Sequence, residues 1–316
     1  PFIERWQALA ELGALGIGFS EEQGGLGGGL REMELVLETA GQNRRSEPFM
    51  DALAIPGAAL ATSNPERVSL LGEGRVVIVA AFPEDHDPTG LTPDMKYQDG
   101  VLTGYKALVP SGADADQFLI SAMQGDTLVL AEVSADNAEV QPMMNGQSGI
   151  RIRCEKSPAK ILAQGDIAAD AIRAGWRHGL HATCAMAVGI SRGLFDETLA
   201  YVRVREQFGQ PIGRFQVIQH RMADMMIALE EARALTDMAR FCLESDGPDL
   251  DLIMARTGVL DRCIEVSRGA IQLHGGIGMS EEMPLGHGFR SLKVLQGRFG
   301  GEIFNRAALR SVPGYQ

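Results

Sequence analysis

The sequence predicts an α+β protein in which a β-rich middle segment separates two helical segments. Apolar residues recur with a helical period up to about residue 72 and again from about Ile167 onward. Between these segments lie short β-rich runs bounded by turn signals such as Gln98-Asp99-Gly100. We therefore expect an N-terminal helical domain over residues 1–73, a middle β barrel or sandwich over 74–166 and a C-terminal four-helix bundle over 167–316.

The composition is that of an ordinary globular protein with room for a large core. The chain has 316 residues, of which 45% are apolar and 22% are charged. Its net charge of -12 and the lack of a basic block argue against nucleic-acid binding. The longest apolar run, Val76 to Phe82, is too short to span a bilayer. Because the chain begins at Pro1 rather than Met, the presence of an upstream targeting segment stays open.

Three residues on one predicted helix could serve as metal ligands. His178, His181 and Cys184 lie three residues apart on one face, but no acid in the sequence is obviously placed to complete a site. We therefore predict a packed or pocket-lining face and no metal site. Without CxxC spacing, the cysteines predict buried thiols in a reducing compartment, the cytoplasm. They are Cys154, Cys184, Cys242 and Cys263.

The N-terminal segment reads as helices joined by a glycine-rich loop. Arg31 to Thr39 opens one helix, with Met33, Val36 and Leu37 expected to face inward. The cluster Gly24 to Gly29 has neither the spacing of a phosphate-binding loop nor that of a dinucleotide fingerprint, so it predicts a flexible turn. An earlier helix is marked by a single apolar stripe: Phe2, Trp6, Leu9 and Leu12.

Six short strands are predicted in the middle segment. Each is rich in β-branched or aromatic residues and is bounded by Gly, Asp, Asn or Pro. They are Arg75 to Phe82, Val101 to Val109, Gln117 to Met123, Thr127 to Val133, Ile150 to Cys154 and Lys160 to Leu162.

The C-terminal segment contains a helix that breaks at a corner and restarts. Gly209 and Pro211 favour a bend after Arg205, since glycine accepts a tight turn and proline is poorly tolerated within a helix. A further helix is expected to end at Gly275-Gly276. The buried stripes of the last two helices are Ile218, Met222, Met225 and Leu229, and Leu252, Ala255, Val259, Cys263, Val266, Ala270 and Leu273.

Arg205 and Phe208 give this corner a chemical character. An arginine can bind a phosphate through two hydrogen bonds, and an aromatic ring can stack on a flat base. The pair therefore suits the pyrophosphate and adenine of a dinucleotide. An ordinary helix corner with a solvated arginine is the alternative, and these two residues alone favour it.

A serine hydrolase is the rival function from another class. Gly189-Ile190-Ser191-Arg192-Gly193 has the GxSxG spacing of a nucleophile elbow, and His274-Gly275-Gly276 is similar to an oxyanion loop. The elbow requires a strand before the serine, whereas Ala182 to Gly189 reads as a helix. The oxyanion loop should also precede the nucleophile rather than follow it. Both contexts argue against a hydrolase.

Two ordered motifs resemble the acyl-CoA dehydrogenase family. The first is Arg205-x-x-Phe208-Gly209 with Pro211-Ile212, Phe215-Gln216, Gln219 and Ala223-Asp224-Met225 after it. The second is Gln272-Leu273-His274-Gly275-Gly276-Ile277-Gly278, followed by Glu282 and Pro284-Leu285. The early run from Leu12 to Gly27 is also similar. The resemblance covers nearly the whole chain and is weakest in the middle.

This resemblance implies an acyl-CoA dehydrogenase fold, FAD as cofactor, an acyl-CoA substrate and an electron-transfer flavoprotein as acceptor. It also implies a role for each motif residue. Arg205 would hold the pyrophosphate and Phe208 the adenine, with Gln216 nearby. The ribose-phosphate region would lie at Gln272, Gly275 and Gly276. In the family these motifs reach across a dimer interface to the neighbour's flavin.

The chain departs from the family at the catalytic base. The two positions at which members carry a glutamate fall on Phe299 and Gly179. His181 and Glu302 are the nearest substitutes.

A second departure lies in the middle segment. The family's Thr-Glu-Pro-x-x-Gly-Ser-Asp-like loop, which touches the flavin ring and the substrate, corresponds to Ala81 to Asp87, and the serine is missing. The resemblance thus implies either a dehydrogenase subunit of a homo- or hetero-dimer or tetramer, or a non-catalytic partner that completes a neighbour's FAD site. No residue in the sequence distinguishes the acyl chain.

Overall fold

The computed structural model describes residues 2–142, 144, 148–276 and 284–310. The chain forms two compact units. The first comprises Pro1–Val36, Ser46–Met143 and Gln147–Ala182. The second comprises Leu37–Arg45, Met144–Gly146 and Thr183–Gln316.

The N-terminal part is helical, as the sequence predicts. Trp6 is buried, whereas Leu12 is 81% exposed because the first helix ends at Glu11, so including Leu12 in the buried stripe was wrong. The glycine cluster forms a loop after a short 3-10 turn at Glu21–Gln23. The helices are α1 (Phe2–Glu11), α2 (Leu30–Gln42), α3 (Ile55–Ser63) and α4 (Val68–Glu73), with a buried π turn at Met50–Ala54 before α3.

The middle part is a sheet that closes on itself, so of the predicted barrel or sandwich the structure has the barrel. Its strands are β1 (Ile78–Ala81), β2 (Lys96–Gln98), β3 (Val101–Pro110), β4 (Gln117–Gln124), β5 (Thr127–Ser134), β6 (Ala138–Pro142) and β7 (Ser148–Gln164). Their order is β1-β4-β2-β3-β7-β5, and β4 also pairs with β5, which completes a ring of β4, β2, β3, β7 and β5.

Two strands were predicted from the sequence where the structure has the single strand β7, so this prediction was wrong. The segment around Lys156, Ser157 and Pro158 resembles a turn, but the strand continues through it. Lys156 has a φ of 58° at the point where the pairing with β3 slips by one residue. One extra residue is thus absorbed in a β-bulge, which local sequence patterns do not reveal. The short strands β2 and β6 were also not predicted.

The C-terminal part contains α5 (Gly165–Val204), α6 (Gln216–Glu244), α7 (Asp249–His274), α8 (Pro284–Gly297) and α9 (Gly301–Arg310). The inward stripe predicted on α7 is buried along its whole length, and on α6 Met222, Met225 and Leu229 are buried. Close helix packing uses glycine: a Cβ at Gly269 would meet Met225, and one at Gly288 would meet Leu194.

Ser191 has no elbow geometry. It lies within α5, is fully buried, and its hydroxyl donates to the Cys263 carbonyl oxygen at 3.4 Å. The side chains of Cys154, Cys184 and Cys263 are buried as well. In the part of the chain that the structure describes, we find no helix with the length and apolar character needed to cross a membrane.

A fully buried lysine anchors the loop that follows β1. The ammonium of Lys106, on β3, donates to the Glu84 carboxylate at 2.6 Å, to the Phe82 carbonyl at 3.1 Å and to the Ser121 hydroxyl at 3.1 Å. Burial lowers the pKa of Lys106, against the opposing effect of the Glu84 charge. Three acceptors and one opposite charge compensate for the desolvation of this group.

We predict that Lys106→Met destabilises the protein by about 3–5 kcal/mol, because the substitution leaves the largely inaccessible Glu84 carboxylate without its cation. Urea unfolding followed by circular dichroism would measure the change. Lys96→Met, at an exposed position of β2, serves as the control and should change stability by less than about 0.5 kcal/mol. Equal effects of the two substitutions would contradict the anchoring role of Lys106.

Candidate functional site

The corner after α5 is a two-residue hairpin. Glu206–Gln207 (β8) pairs with Gln210–Pro211 (β9), and the turn residues Phe208 and Gly209 have φ angles of 55° and 79°. Two successive positive φ values define a type I′ turn, for which Asn-Gly is the favoured sequence. Gly209 accepts this conformation freely, whereas a phenylalanine in the left-handed region is strained. Phe208 therefore stands where local stability would select another residue.

The ring of Phe208 extends into solvent. It is 95% exposed and meets Phe215 edge to face, with ring centroids 6.2 Å apart. The strained backbone and the exposed aromatic ring both lower the stability of the isolated chain. Their combination at a hairpin tip indicates that the ring contacts a molecule outside the chain.

Arg205 lies at the base of the same hairpin. Its backbone N–H donates to the Tyr201 carbonyl at 2.9 Å, and its carbonyl accepts from the N–H of Ile212 at 2.8 Å. Within the described residues the Arg205 guanidinium makes no ion pair with an acid and is exposed, so all its donors can reach a phosphate. Gln216, the first residue of α6, is exposed and follows the hairpin closely in the chain.

The end of α7 offers open backbone. Gln272 is exposed, and Gly275, with a φ of 64°, caps the helix through its N–H to the Gln272 carbonyl. A Cβ added at Gly275 or Gly276 would meet no atom of the described residues within 4 Å. These glycines thus provide unobstructed backbone rather than tight internal packing. Residues 277–283, which include Ile277, Gly278 and Glu282 of the predicted motif, lie outside the described residues.

A ring stack joins the two motifs. Tyr201, one turn before Arg205, stacks on His274 with centroids 4.1 Å apart and planes inclined by 23°. His274 is itself fixed by a 2.9 Å hydrogen bond between its Nδ1 and the Ala270 carbonyl. The stack holds the end of α5 against the end of α7 and brings both motifs to one end of the bundle. The sequence analysis did not identify Tyr201; its position one helical turn before Arg205 was the available signal.

The loop predicted to correspond to the flavin-ring loop has its polar groups engaged within the chain. Lys106 binds the Phe82 carbonyl and Glu84. Asp87 accepts hydrogen bonds from the N–H groups of Thr89 at 3.0 Å and Thr92 at 2.6 Å. Burial raises the pKa of Asp87, but the hydrogen bond from the Thr89 hydroxyl, together with those from the Thr92 and Thr89 N–H groups, outweighs it and lowers the pKa below its usual value. This loop presents a satisfied internal network.

One group of possible metal ligands lies in this loop. Among the described residues, ligand atoms of Glu84, His86 and Asp94 come within 4.8 Å of one another. Glu84 is already paired with the Lys106 ammonium, and an ammonium beside the same carboxylate opposes a divalent cation. We assign no metal to it.

At the first base position, Phe299 is 5% exposed with a φ of 52°. The guanidinium carbon of Arg298 lies 5.1 Å from its ring centroid and that of Arg256 lies 5.8 Å away. The fully buried Arg256 donates to the carbonyls of Leu295 and Arg298, both at 2.9 Å, which ties down the turn that follows α8. Burial lowers the pKa of Arg256 to about 10. The side chain at this position is thus a packed aromatic ring rather than a carboxylate.

At the second base position, Gly179 lies within α5 and is buried. His181, a predicted substitute, is buried as well, and its Nε2 is 2.9 Å from a Glu34 carboxylate oxygen. Glu34 also pairs with Arg31. The imidazole is thus held by Glu34, and this contact could not be predicted from the sequence because the two residues are 147 positions apart in the chain. Glu302, the other substitute, begins α9, and its side chain lies outside the described part.

Several known proteins are similar to this chain in sequence. A family model described as the acyl-CoA dehydrogenase C-terminal domain matches residues 171–302, which include both motifs. Acyl-CoA dehydrogenase FadE34 of Mycobacterium tuberculosis is 29% identical over 283 residues, covering 87% of this chain and 37% of its own length. The short-chain-specific acyl-CoA dehydrogenase of Clostridium acetobutylicum is 25% identical over 322 residues, covering 93% of this chain and 85% of its own length. The chain therefore spans little more than a third of the former relative.

Solved structures share the fold. The Tcur3481-Tcur3483 steroid ACAD variant superposes with a TM-score of 0.87 at 26% identity, covering 98% of this chain and 87% of its own. The ChsE4-ChsE5 complex from Mycobacterium tuberculosis superposes with a TM-score of 0.84 at 23% identity, and the match covers 98% of this chain and 89% of the other. A Mycobacterium smegmatis glutaryl-CoA dehydrogenase in complex with FADH2 superposes with a TM-score of 0.85 at 16% identity, and the match covers 97% of this chain and 85% of the other.

Residues 171–302 thus match the acyl-CoA dehydrogenase C-terminal domain, and nearly the whole chain is similar to proteins named as acyl-CoA dehydrogenases. The relatives are named as acyl-CoA dehydrogenases, and one of the similar structures is a complex with FADH2. The exposed Phe208 ring, the exposed Arg205 and the open backbone at Gly275 and Gly276 fit the adenine and phosphate half of FAD.

We predict that Phe208→Asn stabilises the chain by about 1 kcal/mol, because asparagine relieves the left-handed strain at a type I′ turn. The same substitution should weaken flavin retention, since the exposed ring is lost. Thermal unfolding and flavin absorbance per chain would give the two readouts. A variant that loses stability, or one that keeps its flavin, would contradict this assignment of the strained turn.

We predict that His178 makes the fold sensitive to acid. Burial, with the nearby His181 and Arg177, lowers the pKa of His178 from 6.5 to about 4. Between these two pH values the imidazole is protonated in the unfolded chain but neutral in the folded chain. The free energy of unfolding therefore falls by about 3 kcal/mol as the pH drops from about 6.5 to 4. His178→Gln should flatten this part of the urea-unfolding profile between pH 7 and 4. An unchanged pH profile would contradict the prediction.

Proposed function

We propose that this chain is a subunit of a heteromeric acyl-CoA dehydrogenase and completes the FAD site of a related subunit. It supplies the adenine and phosphate half through Arg205, Phe208 and Gln216, with Gln272 and the Gly275-Gly276 backbone beside them. The observation that carries the proposal is the hairpin itself. The backbone of Phe208 is strained and its ring is exposed, and Arg205 has no acid partner among the described residues, so both residues are suited to a ligand held by another chain.

The related subunit would supply the flavin-ring pocket and the catalytic carboxylate. In this chain the corresponding loop is held by internal hydrogen bonds of Lys106 and Asp87, and the first base position is occupied by the buried Phe299. FAD held in this assembly would supply the hydride acceptor for the α,β-dehydrogenation of an acyl-CoA thioester, and the carboxylate of the related subunit would accept the α proton. An electron-transfer flavoprotein is the proposed acceptor. The ChsE4-ChsE5 complex supports assembly from two different chains on this fold.

The second candidate is a homo-oligomeric flavoprotein with its own complete site. It would require His181 or Glu302 as the base. His181 is buried against Glu34, which orients the imidazole but also occupies its Nε2. The motif residues favour this candidate equally, whereas the loop and Phe299 favour the heteromer. We propose a cytoplasmic location for either assembly, because buried cysteines are typical of proteins in a reducing compartment.

We predict that the isolated chain, incubated with FAD, does not reduce flavin when mixed with a panel of acyl-CoA esters. A positioned general base contributes about 10²–10⁴-fold in rate, and neither base position carries one. Flavin bleaching in anaerobic stopped flow is the measurement, repeated after the partner that co-purifies from the native host is added. Rapid bleaching by the isolated chain, abolished by His181→Ala or Glu302→Gln, would establish the homo-oligomeric candidate instead.

Within the assembly, Arg205→Ala should release flavin, because the pyrophosphate loses its charge-assisted hydrogen bonds. Arg221→Ala, which removes an exposed arginine from the first turns of α6, is the matched control and should retain flavin. The measurement is the ratio of flavin absorbance to protein after gel filtration. Equal retention in both variants would count against the site assignment.

A further inference from the structure

A cavity that the cofactor assignment leaves unused lies beside the hairpin. Its volume is about 510 Å³, and it is formed by the last turns of α5, the segment that contains Pro211 and Gly213, and the first turns of α6. Arg205, Phe208 and Gln216 are not among its lining residues. The cavity therefore uses none of the side chains assigned to FAD, although it lies beside them.

The cavity is aliphatic inside and cationic outside. Val202 and Met222 are buried, and Leu199 and Ile218 complete an aliphatic lining. Arg203 and Arg214 also line the cavity and are exposed, so they stand towards solvent. Apolar walls with a small number of charged groups are the usual composition of a small-molecule site of this size.

The lining also excludes several ligand classes. Its described residues include no aromatic ring on which a flat base could stack, and no carboxylate that could bind a cation. Neither Arg203 nor Arg214 makes an ion pair with an acid in the described ranges, although the chain carries a net charge of -12. The two guanidinium groups are thus available to bind an anion through charge-assisted hydrogen bonds.

We propose that this cavity binds an aliphatic chain that ends in an anion, with the chain against Leu199, Val202, Ile218 and Met222 and the anion between Arg203 and Arg214. The apolar lining fixes the chain as aliphatic, and the arginines fix the headgroup as a carboxylate or a phosphate monoester. The site is independent of the proposed flavin role, because the two use different residues.

Isothermal titration of the full chain with decanoate tests the proposal, with decyl phosphate and decanol as companion ligands. Decanoate or decyl phosphate should bind one per chain, the tighter of the two identifying the headgroup, and decanol should bind at least about tenfold more weakly. Arg203→Ala combined with Arg214→Ala should weaken binding of the anion about tenfold or more. Arg221→Ala, an exposed arginine of α6 that does not line the cavity, should leave binding unchanged.

Two further variants test whether the ligand occupies this cavity rather than the flavin surface. Ile218→Trp fills the cavity and should abolish decanoate binding. If Ile218→Trp fails to fold, the paired substitutions of Arg203 and Arg214, which lie at the surface, still test the site. Arg205→Ala should leave decanoate binding intact even where it releases flavin. The proposal would be overturned if decanoate showed no saturable binding or if decanol bound as tightly as decanoate. It would also be overturned if Arg221→Ala or Arg205→Ala weakened decanoate binding as much as the paired Arg203 and Arg214 substitutions do.

Discussion

The stack of Tyr201 on His274 is the contact on which the proposed site depends. It joins the last turn of α5 to the last turn of α7, two helix ends that lie far apart in the sequence. Arg205 follows the first ring by one helical turn, and Gly275 follows the second ring directly. A single aromatic contact therefore converts two motifs that are distant in sequence into one surface, at the same end of the bundle.

The molecule treats its polar groups in two different ways. In the loop beside β1, Lys106 and Asp87 satisfy their neighbours within the chain, so little hydrogen-bonding capacity is left for a ligand. At the hairpin, Arg205 and Phe208 are exposed, and the backbone of Phe208 is strained. Native proteins retain strain of this kind mainly where function requires it. This contrast is the physical basis for assigning half of a flavin site, rather than a whole one, to this chain.

Features that depend on local pattern were predictable from the sequence. The buried stripe of α7 follows from apolar spacing, and the corner follows from Gly209 and Pro211. Features that depend on distant partners were not. Glu34 and His181 meet across 147 residues, and the bulge at Lys156 is visible only in the pairing of β7 with β3. The motif residues were located by resemblance, but the strain at Phe208 required backbone angles.

The number of flavins per chain tests the shared FAD site most directly. We predict one FAD for each pair of unlike subunits, since this chain contributes an adenine half and the partner contributes a ring half. Flavin absorbance combined with amino-acid quantification of the native assembly would give the ratio. One FAD for every copy of this chain in an assembly without any other subunit would contradict the shared site, because it would require a complete site built from this sequence alone.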